Sequence, residues 1–188
     1  LDANIVHLGG TGLLASFDGG PSLNLLMRAK DKGCKTVLDL ILANEETLKL
    51  VEPLLGYIDY FVPSLEEAGA MAGYSEPEQV AEWFRGKGVA NVILTLEGDG
   101  AYVASSEGAQ IYLPAHQLDP IDSTGCGDSF TAGIITGLTK GWQIEESARF
   151  ANTVAAYVAC GLGSQGILKD FDTTLKAMKE WPLKEVNG

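Results

Sequence analysis

Apolar residues recur along this chain in two rhythms: short solid runs, and longer stretches with one apolar side. The solid runs at residues 4–8, 36–40, 58–62 and 91–96 end at glycine or polar turn residues and read as strands. The first stops at Gly9-Gly10, as a buried strand would, and a loop rich in small residues follows to residue 20. The second, T-V-L-D-L, has no polar face except Asp39, which predicts burial on both sides. Between the runs lie helical patterns. Leu23, Leu25, Leu26, Met27 and Ala29 form one that ends at Gly33, and Asn44 caps another reaching about residue 55, with Gly56 as its stop. Ser64 caps a third, Glu67 stands three positions later at capping-box spacing, and Gly73 closes it. Pro77 opens a fourth, with Val80, Ala81 and Phe84 on one side, ending near Gly88.

Strand alternating with helix predicts an α/β fold: a mostly parallel sheet with helices on both faces, three layers in all, joined by right-handed crossovers. After Gly98-Asp99-Gly100 the rhythm changes. The runs 101–105 and 110–113 lie close together and predict a hairpin at the sheet edge. An extended stretch over 109–118 then leads into a glycine cluster and an apolar helical run, 131–138, broken at Gly141. An Ala-rich helix over 144–160, a glycine-rich turn over 161–166 and an amphipathic helix over 170–181 stopped by Pro182 complete the chain. No repeat, low-complexity tract or linker interrupts the pattern, so residues 1–188 are expected to form a single domain.

The length of 188 residues, with 46% apolar and 20% charged positions, is that of an ordinary folded domain with a core of its own. A formal net charge of −12 argues against general affinity for nucleic acid or anionic membranes. There is no stretch of 18 apolar residues and no basic leader in the sequence. Cys34, Cys126 and Cys160 are widely spaced, no CxxC pair exists and His7 and His116 stand alone, so a zinc site is not expected. Unpaired cysteines point to a reducing, cytoplasmic setting. An acidic chain that bound an anionic ligand would need backbone amides and a metal to do so, which gives the glycine cluster its interest.

That cluster is Asp122-Ser123-Thr124-Gly125-Cys126-Gly127-Asp128-Ser129-Phe130. Two glycines flank one small residue at a strand-to-helix turn. Glycine lets backbone turn tightly and approach a ligand, and the free N–H groups of a helix N-terminus attract anions. Asp128 in that first turn repels a phosphate, but it makes sense if the site must also take a proton from a group attacking that phosphate. An N-capped helix after a glycine turn would explain the same residues without chemistry.

The nine residues resemble the C-terminal signature of the ribokinase-like (PfkB) carbohydrate kinases, D-T-x-G-A-G-D-x-F, with Cys126 in place of the usual Ala. The resemblance implies that Gly125, Cys126 and Gly127 form an anion hole from their backbone amides and that Asp128 is the catalytic base. It implies ATP and Mg2+ as cofactors and a sugar-like substrate, with a nucleoside as the main competitor.

Three further segments are similar to the family's motifs. Pro63-Ser64-Leu65-Glu66-Glu67-Ala68 resembles P-N-x-x-E-A, with Ser64 for Asn, and implies that Glu67 helps organise magnesium, directly or through water. Thr95-Leu96-Glu97-Gly98-Asp99-Gly100 resembles the nucleotide loop T-L-G-x-x-G, with Glu97 for the first Gly, and implies nucleotide contacts at Thr95, Leu96, Gly98 and Gly100. Ala151-Asn152-Thr153-Val154-Ala155-Ala156 resembles A-N-A-A-A-A and implies Asn152 beside the adenine. The turn containing Gly163, with Asp122 and Thr124, stands where the family holds a monovalent cation, K+. Ile167 occupies a place where some members have Ser.

The family's N-terminal part, with its lid, Gly-Gly signature and most sugar contacts, has no counterpart here, and Gly9-Gly10 lacks the context to replace it. A chain beginning at Leu1 is then expected to be a fragment whose first strand leaves an open sheet edge, which predicts self-association as a homo-oligomer. Two other readings are a nucleotide-binding module without catalysis and a dinucleotide oxidoreductase. The second lacks G-x-G-x-x-G after its first strand, and no P-loop motif G-x-x-x-x-G-K-[ST] is present.

Overall fold

A computed structural model describes residues 2–41 and 43–185. The chain divides into two compact units, one of Leu1–Thr95 with Ala104–Gln110, the other of Leu96–Val103 with Ile111–Gly188.

The first unit is built from strand–helix repeats: β1 (Ile5–Thr11), α1 (Gly20–Asp31), β2 (Lys35–Leu40), α2 (Glu45–Val51), a 3-10 turn (Glu52–Tyr57), β3 (Tyr60–Phe61), α3 (Leu65–Ala72), α4 (Pro77–Gly86) and β4 (Asn91–Thr95). Its strands pair in parallel, β1 with β2, β2 with β3 and β3 with β4. Parallel neighbours need crossover connections, and the helices provide them. Val37, Leu38, Phe61, Val92, Ile93 and Leu94 are fully buried in the strands, and Phe84 of α4 packs its ring 4.6 Å from that of Phe61.

Several boundaries differ from the sequence pattern for identifiable reasons. β1 does not stop at Gly9-Gly10 but runs on to Thr11 with a register irregularity after Leu8, and most of it is half-buried or exposed. It is the terminal strand of the sheet order, so only one edge is paired and glycine does little harm there. The helix capped by Asn44 changes to a 3-10 turn at Glu52 instead of continuing to 55, because Pro53 has no N–H for the α ladder. Asn44 itself accepts from the N–H groups of Glu46 and Thr47. The strand read at 58–62 keeps strand geometry only at Tyr60–Phe61.

β5 (Gly100–Ala104) and β6 (Gln110–Pro114), which lie in the second unit except for the hairpin end at Ala104–Gln110, are successive strands, and β6 ends the strand order, as the edge hairpin requires. Their turn is closed by Ser105, whose N–H donates to Ala109 O at 2.8 Å. Three helices follow: α5 (Cys126–Thr139), α6 (Ile144–Ala159) and α7 (Phe171–Glu180). α5 and α6 pack very closely. A Cβ on Gly133 would stand 2.6 Å from the Ala151 Cα, so only glycine allows that approach. Trp142, Phe150 and Phe171 cluster between α6 and the start of α7, with Trp142 5.6 Å and Phe171 5.3 Å from Phe150.

Candidate functional site

The helix α5 begins inside the glycine cluster. Gly125 is its N-cap, with φ of 79°, and no side chain caps the helix. Cys126, Gly127 and Asp128 therefore form the first turn, where N–H groups have no carbonyl four residues back. Cys126 N–H is turned away to the Ser123 carbonyl at 3.1 Å, so of the 125–127 amides it is already engaged. The amide of Ser129 closes the first helical bond onto Gly125 O at 2.9 Å. Gly127 and Asp128 are exposed at this positive helix end, and an added Cβ on Gly127 would meet nothing within 4 Å.

Asp122 ties this turn to the next glycine loop. One carboxylate oxygen accepts Thr124 N–H at 2.9 Å and the other accepts Gly163 N–H at 2.8 Å. The Gly163 N–H, then the Thr124 N–H and hydroxyl, hold the carboxyl below its ordinary range, so it carries full charge at neutral pH. Gly125 lies against this second loop: a Cβ there would fall 2.7 Å from the Ser164 Cα. The Cys126 thiol points to Ala155 O on α6 at 3.7 Å, and burial, then the Asp122 charge, then Cys160, push its pKa up. It is a protonated small side chain filling the place of a methyl group.

A second element of the unit is the tight loop before β5. Leu96 N–H reaches Gly100 O at 2.8 Å around a 3-10 turn, Glu97–Asp99. Glu97 has φ of 51°, the one positive value at a non-glycine among the described residues. The loop therefore keeps a glycine-like backbone under a side chain that disfavours it, the kind of strain that collects at ligand sites. Gly98 is exposed, and its carbonyl accepts from Lys184 Nζ at 2.6 Å.

Asn152 stands on α6, its amide 3.4 Å from both Leu113 O and Pro114 O. With those residues, His116, Arg149 and Met178 it lines a pocket of about 40 Å3. His116 is buried, its Nε2 lies 2.8 Å from Thr153 Oγ1, and burial lowers its pKa against the opposing pull of the Pro182 and Trp181 backbone.

In the first unit, Ser64, Glu67 and Thr95 come together. Ser64 forms an isolated parallel bridge with Thr95, whose N–H donates to Pro63 O at 3.0 Å. The Ser64 hydroxyl accepts Glu67 N–H at 3.1 Å, while Glu67 Oε2 accepts Ser64 N–H at 3.0 Å and the Ser64 hydroxyl at 2.8 Å. The capping box is thus formed in full, and one Glu67 oxygen is committed to it.

Asp122, Thr124, residues 125–128 and Gly163 are gathered at the head of α5. Leu96, Gly98 and Gly100 make the second loop, and Asn152 faces the 113–114 backbone beside it. What the sequence pattern gave no reason to single out is the return of the chain after Pro182. His116 and Leu183 form an antiparallel bridge that carries Lys184 to the loop. Its sole signal was a tryptophan before a proline at the end of an amphipathic helix.

Comparison with known proteins bears on the family and the fold. A family model described as pfkB family carbohydrate kinase matches residues 2–170. The chain is 34% identical over 128 residues to the ATP-dependent 6-phosphofructokinase of Thermoanaerobacterium thermosaccharolyticum, which covers 68% of this chain and 39% of that relative. Arabidopsis thaliana ribokinase complexed with ribose and ATP matches with a TM-score of 0.78 at 24% identity, covering 94% of this chain and 56% of that one. A fructokinase double mutant of Vibrio cholerae in fructose, ADP and potassium ion bound form matches with a TM-score of 0.80 at 21% identity, over 93% and 60%. The fold is therefore ribokinase-like. The chain spans 39%, 33% and 49% of the length of three of the curated relatives it matches.

Proposed function

The chain belongs to the pfkB family of carbohydrate kinases, and from that premise we propose that it serves transfer of the ATP γ-phosphoryl group to a hydroxyl of a sugar or related small molecule, as the C-terminal nucleotide-binding portion of such a kinase. The observation that carries the reading is the head of α5: a glycine cap, an uncapped first turn and an exposed Asp128 within it. In this mechanism the acceptor hydroxyl gives its proton to the Asp128 carboxylate as it attacks phosphorus. The amides at 125–127, chiefly those not bonded within the turn, and the helix dipole hold the charge on the transferring group. Asp122 keeps the 161–166 turn against Gly125, which fixes the shape of that hole. In the second unit Leu96, Gly98 and Gly100, and Asn152 in its pocket, are the proposed nucleotide contacts; in the first unit Thr95, and Ser64 with Glu67, are proposed as nucleotide and phosphate contacts by resemblance to the family's motifs.

Among the described residues no group of three or more His, Cys, Asp or Glu side chains could hold a metal. Magnesium is proposed as an ion that accompanies the nucleotide phosphates, with Glu67, by the family resemblance, as the residue that would help organise it directly or through water; it would supply charge neutralisation. Asp122, Thr124 and Gly163 are the residues that would hold a potassium ion, beside a carboxylate that stays ionised. The acceptor is a sugar in the first reading and a nucleoside in the alternative. A cytoplasmic protein that self-associates through the outer edge of β1 completes the proposal.

The test is a coupled ATP-consumption assay over a panel of sugars and nucleosides, with calorimetry of Mg·ADP. Asp128→Asn is expected to lower kcat by about 100- to 10,000-fold and to leave Mg·ADP affinity within about threefold, since an uncharged isostere changes little for bound nucleotide. Full turnover in that variant would remove Asp128 from the role of base. The strained Glu97 in the nucleotide loop favours a second reading, a nucleotide-binding module without catalysis. Mg·ADP binding with no acceptor ever phosphorylated is its signature.

A further inference from the structure

The loop proposed to hold the nucleotide carries two exposed carboxylates, Glu97 and Asp99, in a chain of net charge −12. Both would repel the phosphates of ATP. The structure sets one cation directly on this loop. Lys184 Nζ donates to Gly98 O at 2.6 Å, and a Cβ on Gly98 would lie 3.4 Å from that nitrogen. Both flanking residues of Gly98 are the acidic ones.

Lys184 is held there by more than its own side chain. Its N–H donates to Ala115 O at 2.9 Å, Gln117 N–H donates to Pro182 O at 2.8 Å, and Ala115 N–H donates to Asp99 O at 3.1 Å. These bonds close a circuit from the loop through residue 115 to Lys184 and back to the loop. Trp181 anchors the segment, its ring 4.4 Å from Tyr157 and 5.7 Å from His116. An ordinary surface lysine samples many rotamers and contributes little. This one is delivered to a fixed place by backbone pairing and aromatic packing.

We propose that Lys184 is an affinity- and specificity-determining residue of the 96–100 loop, holding its carbonyl while presenting to an anionic nucleotide the positive charge that Glu97 and Asp99 withhold. The inference rests on the kinase reading above, and deepens it by assigning the phosphate-bearing part of the ligand a cation that lies outside every motif of the sequence. Glu97 in the place of a glycine and Lys184 on the neighbouring carbonyl then form a compensating pair.

The experiment is calorimetry on the chain with two probes, Mg·ADP and uncharged adenosine, at about 20 mM and about 300 mM salt, where the Debye length falls from about 20 Å to about 6 Å. Lys184→Met, which keeps the stem, is expected to weaken Mg·ADP by about three- to tenfold at low salt, as one partly screened charge at short range would. The difference should shrink at high salt, and adenosine should bind as before. Lys184→Arg should match the wild type within about twofold, and Glu97→Gln in the Lys184→Met background should recover part of the loss. Equal weakening of adenosine and Mg·ADP would make the segment a mere structural strap and overturn the inference, as would no change in either. Wild-type chain that binds neither probe would sink the nucleotide reading itself, and this inference with it.

Discussion

Gly125 and Gly127 stand two positions apart and answer different demands. Gly125 has φ of 79°, and any Cβ there would collide with Ser164. Gly125→Ala is therefore expected to destabilise the fold by about 1–3 kcal/mol, read from the midpoint of denaturant unfolding. Gly127 is helical and open, with nothing within 4 Å of an added Cβ. Gly127→Val should leave stability within about 1 kcal/mol, since valine is no worse than glycine in a helix, yet its methyls cover the amides at the helix head. A loss of Mg·ADP affinity of more than about tenfold, the scale of a removed preorganised donor, is the expected result in calorimetry, and unchanged affinity would place the nucleotide elsewhere. The pair of glycines was legible as a motif in the sequence. Which one serves the fold was not, because that depends on the 161–166 turn, far away along the chain. The same holds for Cys126: its small size was readable, but not the turning of its amide to Ser123.

At the scale of elements, the alternation of strand and helix was readable because each crossover buries one apolar face, and the caps at Asn44 and Ser64 carry their own signals. The segment after α7 was not. Pro182 announces the end of a helix but not that the chain then pairs with residues 115–117. His116 lies in that pairing and reports on it. Burial lowers its pKa, so the unfolded chain takes up a proton before the folded one does. The stabilisation by neutral His116 is present in full above the ordinary histidine value of about 6.5 and is lost as pH falls through the lower folded value. The melting temperature should fall between about pH 7 and pH 5 more steeply in the wild type than in His116→Gln, measured by calorimetric scans across that range. Parallel curves for the two proteins would show that His116 does not titrate with unfolding.

For the whole molecule, the informative element is β1, which the sequence made both a buried strand and the open edge of the sheet; its place at the end of the order fits the second expectation and its partial burial corrects the first. A solid apolar run before two glycines suggests a strand enclosed on both sides. The strand is the last in the sheet order, with β2 as its neighbour, and it is only partly buried. Apolar content alone does not distinguish a central strand from one at the end of the sheet order, since both present the same side chains. Lys35 N–H donates to Asn4 O and Ile5 is in register with Lys35, so in the alternation of a parallel ladder the Ile5 N–H points away from β2. The strand at the end of a sheet is a template for another strand, and Leu13, Leu14 and Ile41 are exposed in the same unit. Sedimentation equilibrium is expected to show a mass that rises with concentration. Ile5→Pro removes an outward donor without touching the bonds to β2, so it should shift the chain toward monomer while the melting temperature changes little. A wild-type chain that stays monomeric at every concentration would mean that the β1 edge is not an interface.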